Sequence, residues 1–253
     1  ERAKGVICSS AGNHSQGVAI AAQQYGIQAV VCMATNATPS KIEATKGYGA
    51  EVVLHGSIWD EANEKALELV KERGLTYIHP FDDPRLIAGQ GTTGLEIIED
   101  WPEAEIILVP IGGGGLISGV SMAVKSVKPN VRVIGIESSG APAMKKSVEA
   151  GHLITLDDVS SIIDGLRVKT VGVNTHSVVS RFVDEIVTLS DKKIFNALIW
   201  LMARAKLVTE GAAAAPVGAL LGGLIEASPG TKVAVVLSGG NLDVDQLRGL
   251  NWN

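Results

Sequence analysis

Four consecutive glycines, Gly112 to Gly115, follow the apolar run Ile106-Ile107-Leu108-Val109 and precede a small-residue helical pattern from Leu116 to Val127. A strand, a loop and a helix start in that order gather unpaired N–H groups and the positive end of a helix dipole at one point. That favours an anion, most often phosphate. Glycine loses more freedom on folding than any other residue, so four in succession mark a place where backbone comes very close to something. A tight turn without a ligand would account for one or two of them. Two further polar turns follow apolar runs: Ser10-Ala11-Gly12-Asn13-His14 after Gly5 to Ser9, and Ser238-Gly239-Gly240-Asn241 after Lys232 to Leu237. In open parallel sheets, ligands bind beyond the C-terminal strand ends. Three such turns point to one cleft for a ligand with a phosphate, a ring and other polar groups.

Other chemistries fail on spacing. The dinucleotide pattern G-x-G-x-x-G would need a glycine at 117 or 118, which are Ile117 and Ser118. No Gly-Lys-Ser/Thr ends a phosphate loop, and no G-x-S-x-G nucleophile elbow occurs. No helix carries His and carboxylates at metal-ligand spacing.

The elements that must position these turns alternate between strand and helix. Strands are expected at Gly5 to Ser9, Gln28 to Ala34, Glu51 to Leu54, Tyr77-Ile78, Glu105 to Val109, Val131 to Glu137, Glu185 to Leu189 and Lys232 to Leu237. Helices are expected at His14 to Tyr25, Ala37 to Lys46, Trp59 to Arg73, Leu86 to Glu99, Leu116 to Val127, Ala141 to Glu149, Thr175 to Phe182, Asp191 to Ala205 and Thr209 to Ile225. Gly26, Gly74 and Gly151 stand as C-terminal stops, and Pro39 suits an early helical position. Short connections between alternating units define an α/β fold with mostly parallel open sheets and helices on both faces. Pro80 and Pro84 mark the connection after the fourth strand, which places a domain boundary near residue 76: 1–76 as a small α/β domain, 77–253 as a large one.

Composition narrows the classes. The chain has 253 residues, net charge -5, 46% hydrophobic and 4% aromatic residues, and 29 glycines. That supports a large core of small side chains. The acidic balance and the absence of a basic cluster argue against nucleic acid. Cys8 and Cys32 lie inside apolar runs, so buried reduced thiols are expected rather than disulfides or zinc. No run reaches membrane-spanning length and no signal peptide is visible, so a cytoplasmic protein is expected.

Four stretches in order carry a resemblance: Ser9-Ser10-Ala11-Gly12-Asn13-His14-Ser15-Gln16-Gly17, Ile87-Ala88-Gly89-Gln90-Gly91-Thr92, Gly112 to Gly115, and Ser238 to Asn241. Together they resemble the pyridoxal-phosphate (PLP) enzymes of the threonine ammonia-lyase and serine racemase family, across essentially the whole chain. Thr209-Glu210-Gly211-Ala212 is similar to the family's stretch near the cofactor. The resemblance implies two lobes of PLP fold type II, like the tryptophan synthase β-subunit, with the larger lobe binding cofactor.

It also implies roles. Gly112, Gly113, Gly114 and Gly115, with Leu116, would cradle the cofactor phosphate. Asn13 would hydrogen-bond the ring oxygen, Phe81 would pack near the ring, Glu210 would stand by the cofactor, and Ser238 would face the pyridine nitrogen. A neutral serine there favours an unprotonated ring, which suits β-elimination over long-lived carbanions. Ser10, Ala11, Gly12, Asn13 and His14 would surround the substrate carboxylate. Simpler roles exist for several: His14 as packing or cap, Glu210 as a cap, Ser238 as a cap.

Within the family, racemases resemble Ser-Ser-Gly-Asn-His, whose second serine moves a proton on the opposite substrate face. Here that position is Ala11, whose methyl group neither donates nor accepts a proton. The expected reaction is therefore deamination of L-threonine to 2-oxobutanoate and ammonia, with L-serine as secondary substrate. Alternatives are a serine racemase, a 3-hydroxyaspartate ammonia-lyase, or a non-catalytic phosphate- or amino-acid-binding module. The resemblance further implies a possible divalent or monovalent cation near Glu137, with Ala141 and Ala143 beside it; a single carboxylate makes a weak hard-cation site. A dimer or tetramer of identical chains is expected on the same basis.

One departure matters. The family's Schiff-base lysine lies in a Ser-Phe-Lys-type motif well upstream of the Asn13 position. Only twelve residues precede Asn13, and Lys4 lacks that context. With Glu1 rather than Met first, the chain is expected to be part of a longer enzyme whose catalytic lysine lies upstream, with none of its own.

Overall fold

In the computed structural model, residues 4–242 are described and fall into two compact units, one ending at Pro80 and the other starting at Phe81. The stretch 243–253, after the last glycine turn, lies outside the described residues.

The first unit contains β1 (Val6–Ser9), α1 (Asn13–Tyr25), β2 (Ala29–Met33), α2 (Pro39–Gly47), β3 (Glu51–Leu54), α3 (Trp59–Arg73) and β4 (Thr76–Tyr77). The strands form one parallel sheet in the order β3-β2-β1-β4. Alternation along β1 and β2 divides the core. Cys8, Val31 and Met33 pack on one face with Val18, Ala19 and Ala22 of α1. Ile7, Val30 and Cys32 pack on the other with Ala62, Ala66 and Leu69 of α3. The two thiols thus lie on opposite faces of the sheet, free and fully buried. Burial pushes the Cys8 thiol up to about 12 and the Cys32 thiol up to about 11, so both stay protonated at neutral pH. Gly26 and Gly74 end α1 and α3 in the left-handed conformation, as the stop pattern predicts.

The second unit contains α4 (Pro84–Asp100), β5 (Ile106–Pro110), α5 (Gly115–Val127), β6 (Arg132–Ser138), α6 (Ala143–Ala150), α7 (Val173–Phe182), β7 (Glu185–Leu189), α8 (Asp191–Trp200), α9 (Gly211–Leu221) and β8 (Val233–Val235). Its parallel sheet runs β7-β6-β5-β8. Ile106 and Leu108 of β5 face α8 and α9, while Ile107 and Val109 face α5. Both units are therefore doubly wound α/β sheets of the expected class.

The structure shortens several expected elements. The helix from Asp191 stays regular only to Trp200; Leu201–Ala205 form a π-helical turn that closes at Lys206, whose φ is 59°. The helix expected from Thr209 begins at Gly211, because the preceding backbone runs extended and Glu210 donates its N–H to the Gly239 carbonyl. It ends at Leu221, before Gly223 at φ 67°. The last strand covers only Val233–Val235.

The Gly-Gln-Gly stretch has a packing role. A Cβ on Gly94 of α4 would sit 2.8 Å from the Val120 carbonyl oxygen of α5, and one on Gly91 3.3 Å from the Gly119 oxygen. Gly119 in turn faces the Ile87 carbonyl and the Gly91 nitrogen, with no room for a side chain. The blocking atoms are backbone, so relief requires helix displacement. Gly119→Val is expected to cost about 3 kcal/mol in urea unfolding, at the upper end for overpacking; a loss below about 1 kcal/mol would mean that the helices slide apart freely.

Candidate cofactor and substrate site

Each polar turn lies at the C-terminal end of a parallel strand. Gly112 to Gly115 join β5 to α5, and Ser238 to Asn241 follow β8, the neighbour of β5, so both turns lie at one sheet edge. Ser10 to Gly12 join β1 to α1 in the first unit.

The glycine loop is built to approach a ligand with backbone alone. Among the described residues, no N–H from Gly112 to Ile117 is donated to a protein acceptor, and no side chain caps α5. Gly114 adopts φ 91°, and its carbonyl accepts the Ser118 N–H that starts the helix. A Cβ on Gly112 would strike the Gly165 carbonyl, and one on Gly113 the Phe81 ring. On Gly114 it would come 2.5 Å from Met144 Cε, and on Gly115 2.9 Å from Phe81 Cα. The outcome is a narrow cup of free donors at a helix N-terminus. A phosphate group fits those donors.

Around it stand residues from distant parts of the second unit. Phe81 lies against Gly113 and Gly115. Gly165, inside the short 3-10 turn Asp164–Leu166, touches Gly112 and is 3.9 Å, by its missing Cβ, from a Glu210 carboxylate oxygen. Glu210 is the residue before α9, and its N–H holds the Gly239 carbonyl, linking it to the Ser238 turn. The structure thus brings Phe81, Gly112 to Gly115, Glu210 and the Ser238 turn into one neighbourhood. It adds Gly165, which periodicity did not single out because it sits in an irregular stretch.

Three carboxylates hold this region in place. Asp82 accepts the N–H groups of Val173 (3.1 Å), Asn174 (2.9 Å) and Thr175 (3.1 Å) at the start of α7. Asp191 accepts the Ser138 hydroxyl (2.6 Å), the Ser161 hydroxyl (3.0 Å) and the Ile162 N–H (2.7 Å), anchoring the segment that leads to Gly165. Asp83 caps α4 through the Arg85 N–H, and the Arg85 guanidinium holds its carboxyl down to about 2.

Glu137, at the end of β6, is 1% exposed. Its two oxygens accept the N–H groups of Met144 (2.8 Å) and Lys145 (2.9 Å) at the start of α6. Burial pushes its carboxyl up to about 7, against the pull of those two N–H bonds. Ala141 and Ala143 lie beside it and are buried. Among the described residues there is no group of three or more His, Cys, Asp or Glu that could hold a metal.

In the first unit, Ser10 Oγ accepts the Gly12 N–H (3.2 Å) and Ser15 Oγ donates to the Gly12 carbonyl (2.6 Å), shaping the turn before α1. No side chain caps the helix, which begins at Asn13. His14 Nε2 donates to the Ile78 carbonyl at 3.0 Å, so its ring is a tie to the end of the sheet. Burial lowers its pKa from the ordinary 6.5. Unfolded chains take up that proton as the pH falls below 6.5 while folded ones do not, so this contribution to stability is present above 6.5 and lost on acidification. His14→Gln is expected to flatten the decline in unfolding free energy between about pH 7 and pH 5. An unchanged slope would show that the ring titrates freely.

Two doubly wound units, one with an uncapped glycine loop whose N–H donors fit a phosphate group, define a protein of the α/β class. The chain belongs to the pyridoxal-phosphate dependent enzyme family, whose pattern matches residues 1–239. It is similar to the L-threonine ammonia-lyase of Thermotoga maritima (47% identity over 247 residues, 98% of this chain, 61% of the relative). It is also similar to the catabolic L-threonine dehydratase of Escherichia coli strain K12 (43% over 248 residues, 98% and 75%). Among solved structures, the processed form of threonine deaminase isoform 2 from Solanum lycopersicum matches with TM-score 0.91 at 36% identity, covering 97% of this chain and 72% of that one. Maize serine racemase matches with TM-score 0.92 at 35% identity, covering 98% and 76%. The chain spans about three fifths of the length of the first curated relatives it matches, 61% and 60%. These likenesses agree with the fold type II reading of the sequence.

Proposed function

We propose that the protein to which this chain belongs is a PLP-dependent ammonia-lyase that converts L-threonine to 2-oxobutanoate and ammonia, with L-serine as a secondary substrate. The observation that carries this reading is the run of undonated N–H groups from Gly112 to Ile117, closed on its outer side so that only backbone reaches the ligand. The 43–47% identity to threonine ammonia-lyases and dehydratases supports the choice of reaction. When bound, the cofactor supplies an electron sink that acidifies the α-proton of the amino acid.

Within that reading, Gly112 to Gly115 and Leu116 hold the phosphate with N–H donors. Phe81 packs against the ring, Asn13 bonds its oxygen, Ser238 faces its nitrogen without a charge, and Glu210 sits behind the Gly112 side of the cup. Ser10, Ala11 and Asn13, with the backbone of Gly12 and His14, surround the substrate carboxylate at the start of α1, where the Gly12 N–H is itself donated to Ser10 Oγ. Ala11 offers no proton to one face of Cα, which leaves elimination as the outcome. No residue of this chain is assigned as the base. The first unit serves as the smaller substrate-gripping domain and the second as the cofactor domain.

A cation beside Glu137, near Ala141 and Ala143, would use the carboxylate lone pairs left by the two helix N–H bonds and the carbonyls that follow the strand; Ala143 stands where a second acid would complete such a site. The protein is read as a cytoplasmic homo-oligomer, dimer or tetramer.

The test uses the protein expressed from its full reading frame. With PLP and L-threonine it should release 2-oxobutanoate, faster than pyruvate from L-serine, and yield no D-serine. Dominant D-serine formation would support the racemase reading favoured by the likeness to maize serine racemase. Absence of any PLP-dependent absorbance change would support a non-catalytic binding module.

A further inference from the structure

Thr175 connects three elements that periodicity alone treats as unrelated. It is fully buried at the start of α7. Its hydroxyl lies 2.8 Å from the Gly113 carbonyl, and 3.1 Å from the Gly172 N–H that donates to it. Its own N–H is fixed on Asp82 Oδ1 at 3.1 Å, and its carbonyl accepts the Ser118 hydroxyl of α5 at 3.4 Å. The hydroxyl proton goes to Gly113, since the alternative acceptor, the Gly172 carbonyl, is at 3.2 Å.

That bond has a geometric result. In a trans peptide the C=O and the following N–H point in opposite directions. Holding the Gly113 carbonyl toward α7 therefore turns the Gly114 N–H away from α7. Gly114 has two soft dihedrals and no side chain to restrict them, so without the tie this peptide is free to flip. We infer that Thr175, seated by Asp82, is the positioning residue of the phosphate cup: it fixes the Gly113–Gly114 peptide with its N–H presented to the anion. Thr175 touches neither cofactor nor substrate, and this inference rests on the PLP reading given above. The Asp82 carboxylate acts one step further out. Three N–H groups of one helix end converge on it, which sets where the hydroxyl of Thr175 stands.

The test compares Thr175→Val, Thr175→Ser and Asp82→Asn in the protein made from its full reading frame. Valine keeps the shape and removes the hydroxyl; serine keeps the hydroxyl. Two readouts are used: amide hydrogen exchange without cofactor at Ser118, the first bonded amide of the loop, whose N–H is donated to the Gly114 carbonyl, and binding of PLP and of pyridoxal, which lacks the phosphate. Thr175→Val should speed exchange in the loop and weaken PLP by about tenfold, the loss of one oriented hydrogen bond, while pyridoxal changes by less than about twofold. Thr175→Ser should behave as the parent, and Asp82→Asn should fall between. The inference is overturned if Thr175→Val leaves PLP affinity and loop exchange as in the parent, or weakens PLP and pyridoxal alike. If the valine variant does not fold, Asp82→Asn decides by the same criteria. A parent protein that binds no PLP would refute the cofactor reading, and the exchange comparison would still decide the role of Thr175.

Discussion

Gly114→Val is expected to leave the protein unable to retain PLP, with affinity reduced at least about a hundredfold and L-threonine turnover lost. Three effects act in one direction. Gly114 has φ 91°, outside the range that a β-branched residue tolerates. Its Cβ would lie 2.5 Å from Met144 Cε and 3.0 Å from Thr175 Cβ, so the loop must shift outward from a buried wall. That shift misaligns the N–H groups of Gly114 and its neighbours. Each hydrogen bond to a charged phosphate is worth about 1.5–3 kcal/mol, so misaligning two costs about 3–6 kcal/mol, a factor of about a hundred or more. The check is absorbance titration with PLP beside circular dichroism. Near-parental PLP affinity in a folded variant would remove the cup from the account.

The second large effect is a change of product. Ala11→Ser is expected to yield D-serine from L-serine, where the parent yields none. Ala11 already carries a Cβ, half-buried in the turn after β1, so a hydroxyl adds one atom to an existing direction. The hydroxyls on either side are engaged: Ser10 Oγ with the Gly12 N–H and Ser15 Oγ with the Gly12 carbonyl. A serine at 11 therefore adds an O–H to the turn where Ala11 has only a methyl group. Positioned acid–base groups contribute about a hundredfold or more, which raises D-serine from undetectable to measurable. Chiral chromatography reads the product. A variant that still forms only pyruvate and ammonia would show that Ala11 is not what suppresses racemisation.

Sequence legibility follows a physical divide. Strand β5, the glycine loop and α5 were readable because an apolar run, four glycines and a small-residue helix are local signals. The caps at Gly26 and Gly74 were readable for the same reason. The supports of the cup were not. Asp82 meets Thr175 across 93 positions, and Asp191 meets Ser138 across 53. Neither pairing leaves a periodic trace, and an Asp in a turn reads as an ordinary surface residue. The end of α8 was misplaced because the Leu201–Ala205 stretch keeps a helical composition while its backbone widens to a π turn. Glu137 is singled out as a cation ligand only by resemblance; its two bonds to the start of α6 came only from the structure.

In the proposed function, the backbone from Gly112 to Leu116 holds the phosphate of PLP. The most direct test is difference electron density from crystals of the protein, made from its full reading frame and grown with PLP. Phosphate density is expected within hydrogen-bond reach of the N–H groups of that loop, with Thr175 still bonded to the Gly113 carbonyl. Phosphate density seated elsewhere, with the loop N–H groups facing solvent, would contradict it.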